Sequence, residues 1–177
     1  MKGGHFTHEA YEYCRRHVND GVVAIKGSTD RAAPAIGKGS KKDVNYRDKL
    51  VRNGVTLYQV GGHGLKRTIY ARLKLEDGPG AIQFGRNGTE EYLQGLTCER
   101  LVPKYVKGFQ LLVWEKPSGA RNEPLDLLVY CLAMLELVRR RYNRATMWEQ
   151  LAEELLRRRE GQVKAETGRL SSGGRFG

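Results

Sequence analysis

The sequence predicts an α/β domain, because short β-branched strands alternate with helices whose apolar residues recur every three to four positions. Glycine-rich turns separate them. Residues 7–18 open the series as a helix, with Thr7 as its cap and Tyr11, Cys14 and Val18 spaced for one face. Val22 to Ile25 follows as a short apolar strand. From Gly37 to Arg52 the chain carries Lys38, Lys41, Lys42, Arg47, Lys49 and Arg52 against only Asp43 and Asp48, with little apolar period, which predicts a mobile basic loop.

Val55 to Val60 is a β-branched strand that meets a helix over Leu65 to Leu75 at Gly61-Gly62, with Leu65, Ile69 and Leu73 facing inward. Asp77-Gly78-Pro79-Gly80 turns into a short strand, Ala81 to Phe84, and Thr89 caps a helix carrying Tyr92, Leu93 and Leu96. Glu99–Val106 and Phe109–Trp114, joined through Lys107-Gly108, read as a hairpin. The last helix stands apart, with Met147, Trp148, Leu151, Ala152 and Leu155 on one stripe. The expected organisation is therefore one domain over 1–143, an amphipathic helix over 144–160 and a disordered tail over 161–177, which has too little apolar content to offset its ordering entropy.

A net charge of +11 and a pI near 9.7 imply an anionic partner, since Lys and Arg gain affinity by releasing counterions from a phosphate backbone. Lys26, Lys38, Lys41 and Lys42 are the candidate nucleic-acid contacts. The residues from Arg139 onward hold ten basic and five acidic side chains, so nearly half of the excess sits in the last quarter. Cys14, Cys98 and Cys131 form no CxxC pair and no zinc spacing, which reads as buried thiols in a reduced cytoplasm. No stretch approaches the roughly 18 apolar residues of a membrane span, and Gly37-Lys38-Gly39-Ser40 does not complete a P-loop, so neither a membrane protein nor a nucleotide-driven motor is expected.

The run Arg121-Asn122-Glu123-Pro124-Leu125-Asp126 places two carboxylates at the mouth of an apolar helix. Proline is favoured in a first helical turn, so Glu123 and Asp126 lie near the N-terminus and, three apart, can share a face. Such carboxylates bind metal in some proteins. In others they satisfy orphan backbone donors and complement the helix dipole. The helix beyond is apolar almost all round, as for one covered on more than one side.

Four strings in order resemble the nuclease domain of lambda-type phage terminase large subunits: Gly3-Gly4-His5-Phe6-Thr7-His8-Glu9-Ala10-Tyr11, then Ala24-Ile25-Lys26-Gly27, then Tyr58-Gln59-Val60-Gly61-Gly62-His63-Gly64-Leu65-Lys66 with Arg72-Leu73, and Leu96-Thr97-Cys98-Glu99-Arg100 leading to Arg121–Asp126. The resemblance covers roughly residues 3 to 138. It implies an RNase H-like mixed sheet flanked by helices, here lacking its first strand. It also implies a cytoplasmic protein of a bacterial host that cuts viral double-stranded DNA during packaging, with Mg²⁺ or Mn²⁺ as cofactor and the terminase small subunit and portal as partners.

In that family one Asp ends the first strand, another stands in a Val-Gly-x-Asp-x-x-Lys string, and a third ends Asn-Glu-x-Leu-Asp. Here the third is Asp126 beside Glu123, the middle position is His63, and the first is Met1. The resemblance implies catalytic Asp126, Lys66 and Glu123, with Asp126, Glu123 and His63 as metal ligands. Imidazole suits Mn²⁺ or Zn²⁺ better than hard Mg²⁺, so His63 is no equivalent of an aspartate. Lys66 could neutralise charge developing on a scissile phosphate, and Glu99 is either a supporting carboxylate or a plain strand-end charge. The expectation is an endonuclease domain weak or inactive as it stands. Its rival is a non-catalytic DNA-binding or assembly module, a prophage remnant.

Overall fold

The computed structural model describes residues 6–172. They fall into two compact units that divide within one helix, after Glu136. The first unit carries helix α1 (Thr7–Arg16), a 3-10 turn at Val18–Asp20, strands β1 (Ala24–Gly27), β2 (Ser40–Tyr46) and β3 (Lys49–Val60), helices α2 (Gly62–Arg72) and α3 (Glu90–Thr97), the hairpin β4 (Arg100–Val106) and β5 (Phe109–Glu115), and most of α4 (Glu123–Arg139). The second holds the end of α4 and α5 (Met147–Ser172).

The larger sheet is mixed: β3 is central, β1 pairs with it in parallel and β2 antiparallel. Alternation along the strands sends neighbours to opposite faces. Ala24, Val55 and Leu57 join Val44 in a cluster packed by Tyr11 and Cys14 of α1. Ile25 and Val60 instead meet Leu65 and Ile69 of α2, Leu96 of α3 and Leu125, Val129 and Ala133 of α4. Helices thus flank the sheet on both faces, and each fully buried Leu or Ile contributes about 1.5–3 kcal/mol.

The segment expected to be a mobile loop is a β-hairpin. Tyr46 pairs with Lys49 across Arg47-Asp48, and both central residues have positive φ, 50° and 58°. A tight turn of this kind normally signals itself by Asn-Gly or Asp-Gly. Arg47-Asp48 gives no such signal, and the Arg47 guanidinium lies 5.2 Å over the Tyr46 ring. Further along, the register shifts between Lys42 and Val44, where Asp43 accepts the Asn53 N–H at 2.7 Å. Asn53 has φ 52° there, so the strand bulges.

Other expectations shift in smaller ways. Helix α1 ends at Arg16 with Phe6 in the cap position, so Thr7 lies inside the helix. Ala81–Phe84 forms no strand, since it pairs with no neighbour, although Ile82 packs on the core. Thr89 does cap α3, accepting the Tyr92 N–H at 3.2 Å, and β4–β5 forms the expected hairpin through Lys107-Gly108. Helix α4 buries only one stripe, Leu125, Val129 and Ala133, while Leu127 and Cys131 are exposed. Cys131 is therefore no buried thiol, and Cys14 and Cys98 are partly accessible. Helix α5 continues to Ser172, past Gly161 and Gly168, because the Gln, Lys, Ala and Glu residues between them are good helix formers and each glycine costs only about 1 kcal/mol. The stretch 161–177 thus overlaps the end of α5, and 173–177 lie outside the described residues.

Candidate active site

Three separate stretches of chain converge on one buried carboxylate. Glu99, 5% exposed, sits between α3 and β4. Its Oε1 accepts from the Lys66 ammonium of α2 at 2.6 Å and from the Asn122 side-chain amide, just before α4, at 2.7 Å. Both donors also reach Asp126 in the first turn of α4: Lys66 Nζ at 3.4 Å from Oδ1, and Asn122 Nδ2 at 3.2 Å from Oδ2. Two carboxylates therefore share one ammonium and one amide. Glu99 is the inner of the pair, and Asp126, with 43% of its side chain exposed, is the outer one that a ligand can reach.

The backbone around the site explains why the pieces meet. Gly61 donates its N–H to the Pro34 carbonyl at 3.1 Å where β3 enters α2, and a Cβ at Gly61 would lie 2.3 Å from the Ala33 carbonyl oxygen. Only glycine permits that approach. Gly95 of α3 does the same for α4, since a Cβ there would lie 2.9 Å from Pro124 Cδ. Tyr70 of α2 donates its hydroxyl to the Glu99 carbonyl at 2.6 Å and stacks near Trp114 of β5, with ring centroids 5.0 Å apart. Burial, with the nearby Glu99 charge, pushes the Tyr70 phenol above its ordinary pKa, so it stays a donor. Trp114 donates its indole N–H to the His63 carbonyl at 3.3 Å, tying the β4–β5 hairpin to the start of α2.

Of the residues nominated from sequence, Lys66 and Asp126 lie together. Glu123 does not join them: its side chain is 62% exposed and faces Arg121 Nε at 3.5 Å. A hydrogen bond from its own backbone N–H, followed by Arg121 and Lys116, holds its carboxyl below the usual range, as for a residue satisfying a helix terminus. His63 lies in the first turn of α2 with its ring edge-on to Trp114. Burial and the charges of Arg31 and Arg67 depress its pKa, and those same two cations disfavour a metal there. Among the described residues no three His, Cys, Asp or Glu side chains are grouped to hold a metal, so Asp126, Glu123 and His63 form no common cage.

Asn122 was missed by the sequence reading, and Glu99 was left between two roles. Asn122 could have been noticed as the residue before a Glu-Pro helix start, a common capping place. Lys26, Lys38, Lys41 and Lys42 are all exposed, Lys26 on β1, Lys41 and Lys42 on β2, and Lys38 just before it. Among the described residues no helix is long and apolar enough to cross a membrane.

Comparison with known proteins agrees with the residues that carried the resemblance. Residues 2–148 match the family described as terminase large subunit gpA, endonuclease domain. The chain is 34% identical over 137 residues to the terminase large subunit of Escherichia phage lambda, covering 72% of this chain and 20% of that protein. It is 32% identical over 142 residues to the terminase large subunit of Enterobacteria phage P21, covering 75% and 21%. The chain thus spans about a fifth of the length of these relatives. No solved structure matches it. With a family match over most of its length, and with the Lys66, Glu99 and Asp126 positions inside that match, the chain belongs to the terminase large subunit gpA endonuclease-domain family.

Proposed function

We propose that this chain is a metal-dependent endonuclease domain that cuts viral double-stranded DNA during genome packaging. The observation that carries the reading is the shared site of Glu99, Asp126, Lys66 and Asn122, built from three stretches of chain in a member of the gpA endonuclease-domain family. Its mixed sheet, with parallel β1 and β3 flanked by helices, supports an RNase H-like architecture. By the same reading the partners are the viral duplex, a terminase small subunit and a portal.

The donor set suits a hard cation. Asp126 and Glu99 offer carboxylate oxygens, the ligand type that Mg²⁺ and Mn²⁺ take, and the Asn122 amide holds the two carboxylates together. A bound ion would supply Lewis acidity toward a phosphate oxygen and a more acidic water. Asp126 is the accessible ligand, and Glu99 fixes Asn122 and Lys66 from beneath. Lys66 stands between the two carboxylates, placed to balance charge on a phosphate. Lys26, Lys38, Lys41 and Lys42 would contact the backbone without reading sequence.

Cutting by the chain on its own is expected to be weak. The Lys66 ammonium already engages Glu99, and among the described residues two carboxylates leave a second ion without an evident anchor. The same observation, with the basic hairpin, favours the rival reading of a DNA-binding or assembly module without hydrolysis. Nicking of supercoiled plasmid by the purified chain decides between them. Slow nicking that requires Mg²⁺ or Mn²⁺ and disappears in Asp126→Ala supports the endonuclease. Binding without any nicking favours the module, and nicking indifferent to Asp126→Ala or to EDTA overturns the assigned site.

A further inference from the structure

At the end of α1, away from the Lys66 site along the chain, a second buried glutamate organises cations of its own. Glu12, 6% exposed, accepts from Arg15 Nε and Nη2 at 2.8 Å each and from Arg16 Nε at 2.7 Å. These bonds fix both guanidinium groups, and the terminal nitrogens of Arg16 lie outside them. Opposite stands the turn of the β2–β3 hairpin. Arg15, Arg16, Tyr46, Arg47 and Lys49 line, with Glu12, a cleft of about 210 Å³. Four cations against one carboxylate leave an excess of three positive charges. Arg47 lies with its guanidinium 5.2 Å over the Tyr46 ring, which favours that placement beside the cleft.

We propose that this cleft is a phosphate-binding site that grips the backbone of duplex DNA separately from the Lys66–Asp126 site. The proposal rests on the reading that the chain acts on duplex DNA. Guanidinium forks on a rigid frame suit phosphate oxygens better than a lone carboxylate, because they offer several donors in one plane. Helix α1 covers one face of the sheet, whereas α2 and α4, which carry Lys66 and Asp126, cover the other, so the cleft is an anchor of its own.

The test is fluorescence anisotropy of the full chain and of an Arg47→Asn/Lys49→Gln double variant, on a 24-base-pair duplex over a salt series. Neither residue belongs to the Glu12 pairs, and asparagine tolerates the positive φ at 47, so the fold should survive. The variant is expected to lose affinity for the duplex, with the log-affinity versus log-salt slope reduced by about 1–2. An unchanged slope overturns the cleft. Competition by polyglutamate as strong as by duplex removes the preference for phosphate. If the unmodified chain binds no duplex, the endonuclease reading fails and the cleft is judged on inorganic phosphate. Arginine Nε–H resonances that shift with phosphate in the unmodified chain and not in the variant then uphold the phosphate site, and absent shifts reject it.

Discussion

Glu12 and Glu99 are the two charged side chains buried among the described residues, and they are buried in opposite ways. Glu12 finds its partners three and four residues along the same helix, at Arg15 and Arg16. Glu99 finds Lys66 and Asn122 at separations of 33 and 23 residues, on different elements. The first pairing forms with one helical turn. The second exists only after α2, α3 and α4 have packed. A local pair is thus a fixture of α1, whereas the Glu99 pair reports on the tertiary structure of the whole unit and makes a site that can be lost by a shift of any contributing element.

The sharpest way to break this contrast is to remove a cation. Lys66→Met leaves the Glu99 carboxylate buried with Asn122 alone, and losing one member of a buried pair costs about 3–5 kcal/mol. Urea unfolding should show an unfolding free energy lowered by that amount. The double variant Lys66→Met/Glu99→Gln should recover much of it, because no uncompensated charge remains. A single variant as stable as the original would show that water reaches Glu99.

The second test acts at a distance. Gly95→Ala forces a methyl group against Pro124 and should push the start of α4 away from α3. Overpacking of this kind costs about 1–3 kcal/mol, and the displaced helix start carries Asn122 and Asp126 with it. Plasmid nicking, if present, should fall more than stability does. The Glu12 cluster shares no backbone with α4 and should keep its pH behaviour.

These two sites also show what the sequence could reveal. The alternation of β-branched strands and amphipathic helices was legible, as were the Thr89 cap and the Lys107-Gly108 hairpin, because each rests on residues close in sequence. The β2–β3 hairpin was not, because Arg47-Asp48 adopts a left-handed turn that its residue types rarely signal. Asp126 stands out at the mouth of an apolar helix, while Lys66 and the role of both emerge through resemblance. Glu99 and Asn122 gained their meaning from packing alone. Glu12-x-x-Arg15-Arg16 was readable as a helical ion pair, but such spacing usually marks a solvated face, and nothing local announces that α1 and the hairpin turn bury it.

The third test uses pH. The two guanidinium groups lower the Glu12 carboxyl from its ordinary 4.5 to about 2. A depressed acid contributes stability that is complete above its unfolded value and is lost as pH falls through its folded value. The stability difference between the unmodified chain and Glu12→Gln should therefore be largest above pH 4.5 and shrink toward pH 2. A difference that stays constant over that window would mean that Glu12 acts through packing and not through charge.

The smallest effect belongs to a residue in neither site. Trp148 stands at the start of α5, where a stripe with Met147 and Leu151 predicts a packed anchor, yet its side chain is 60% exposed while Met147 is buried. Substitution of an exposed residue away from caps, charges and cavities changes stability by no more than about 0.5 kcal/mol. Alanine also has the higher helix propensity, which offsets part of any lost contact. Trp148→Ala should thus leave the thermal midpoint of the isolated chain nearly where it was, and so provide the baseline for the Lys66 and Glu12 variants. A drop of about 2 kcal/mol or more would show that the indole is covered in solution, and would make the α5 stripe, like Glu99, part of a tertiary contact.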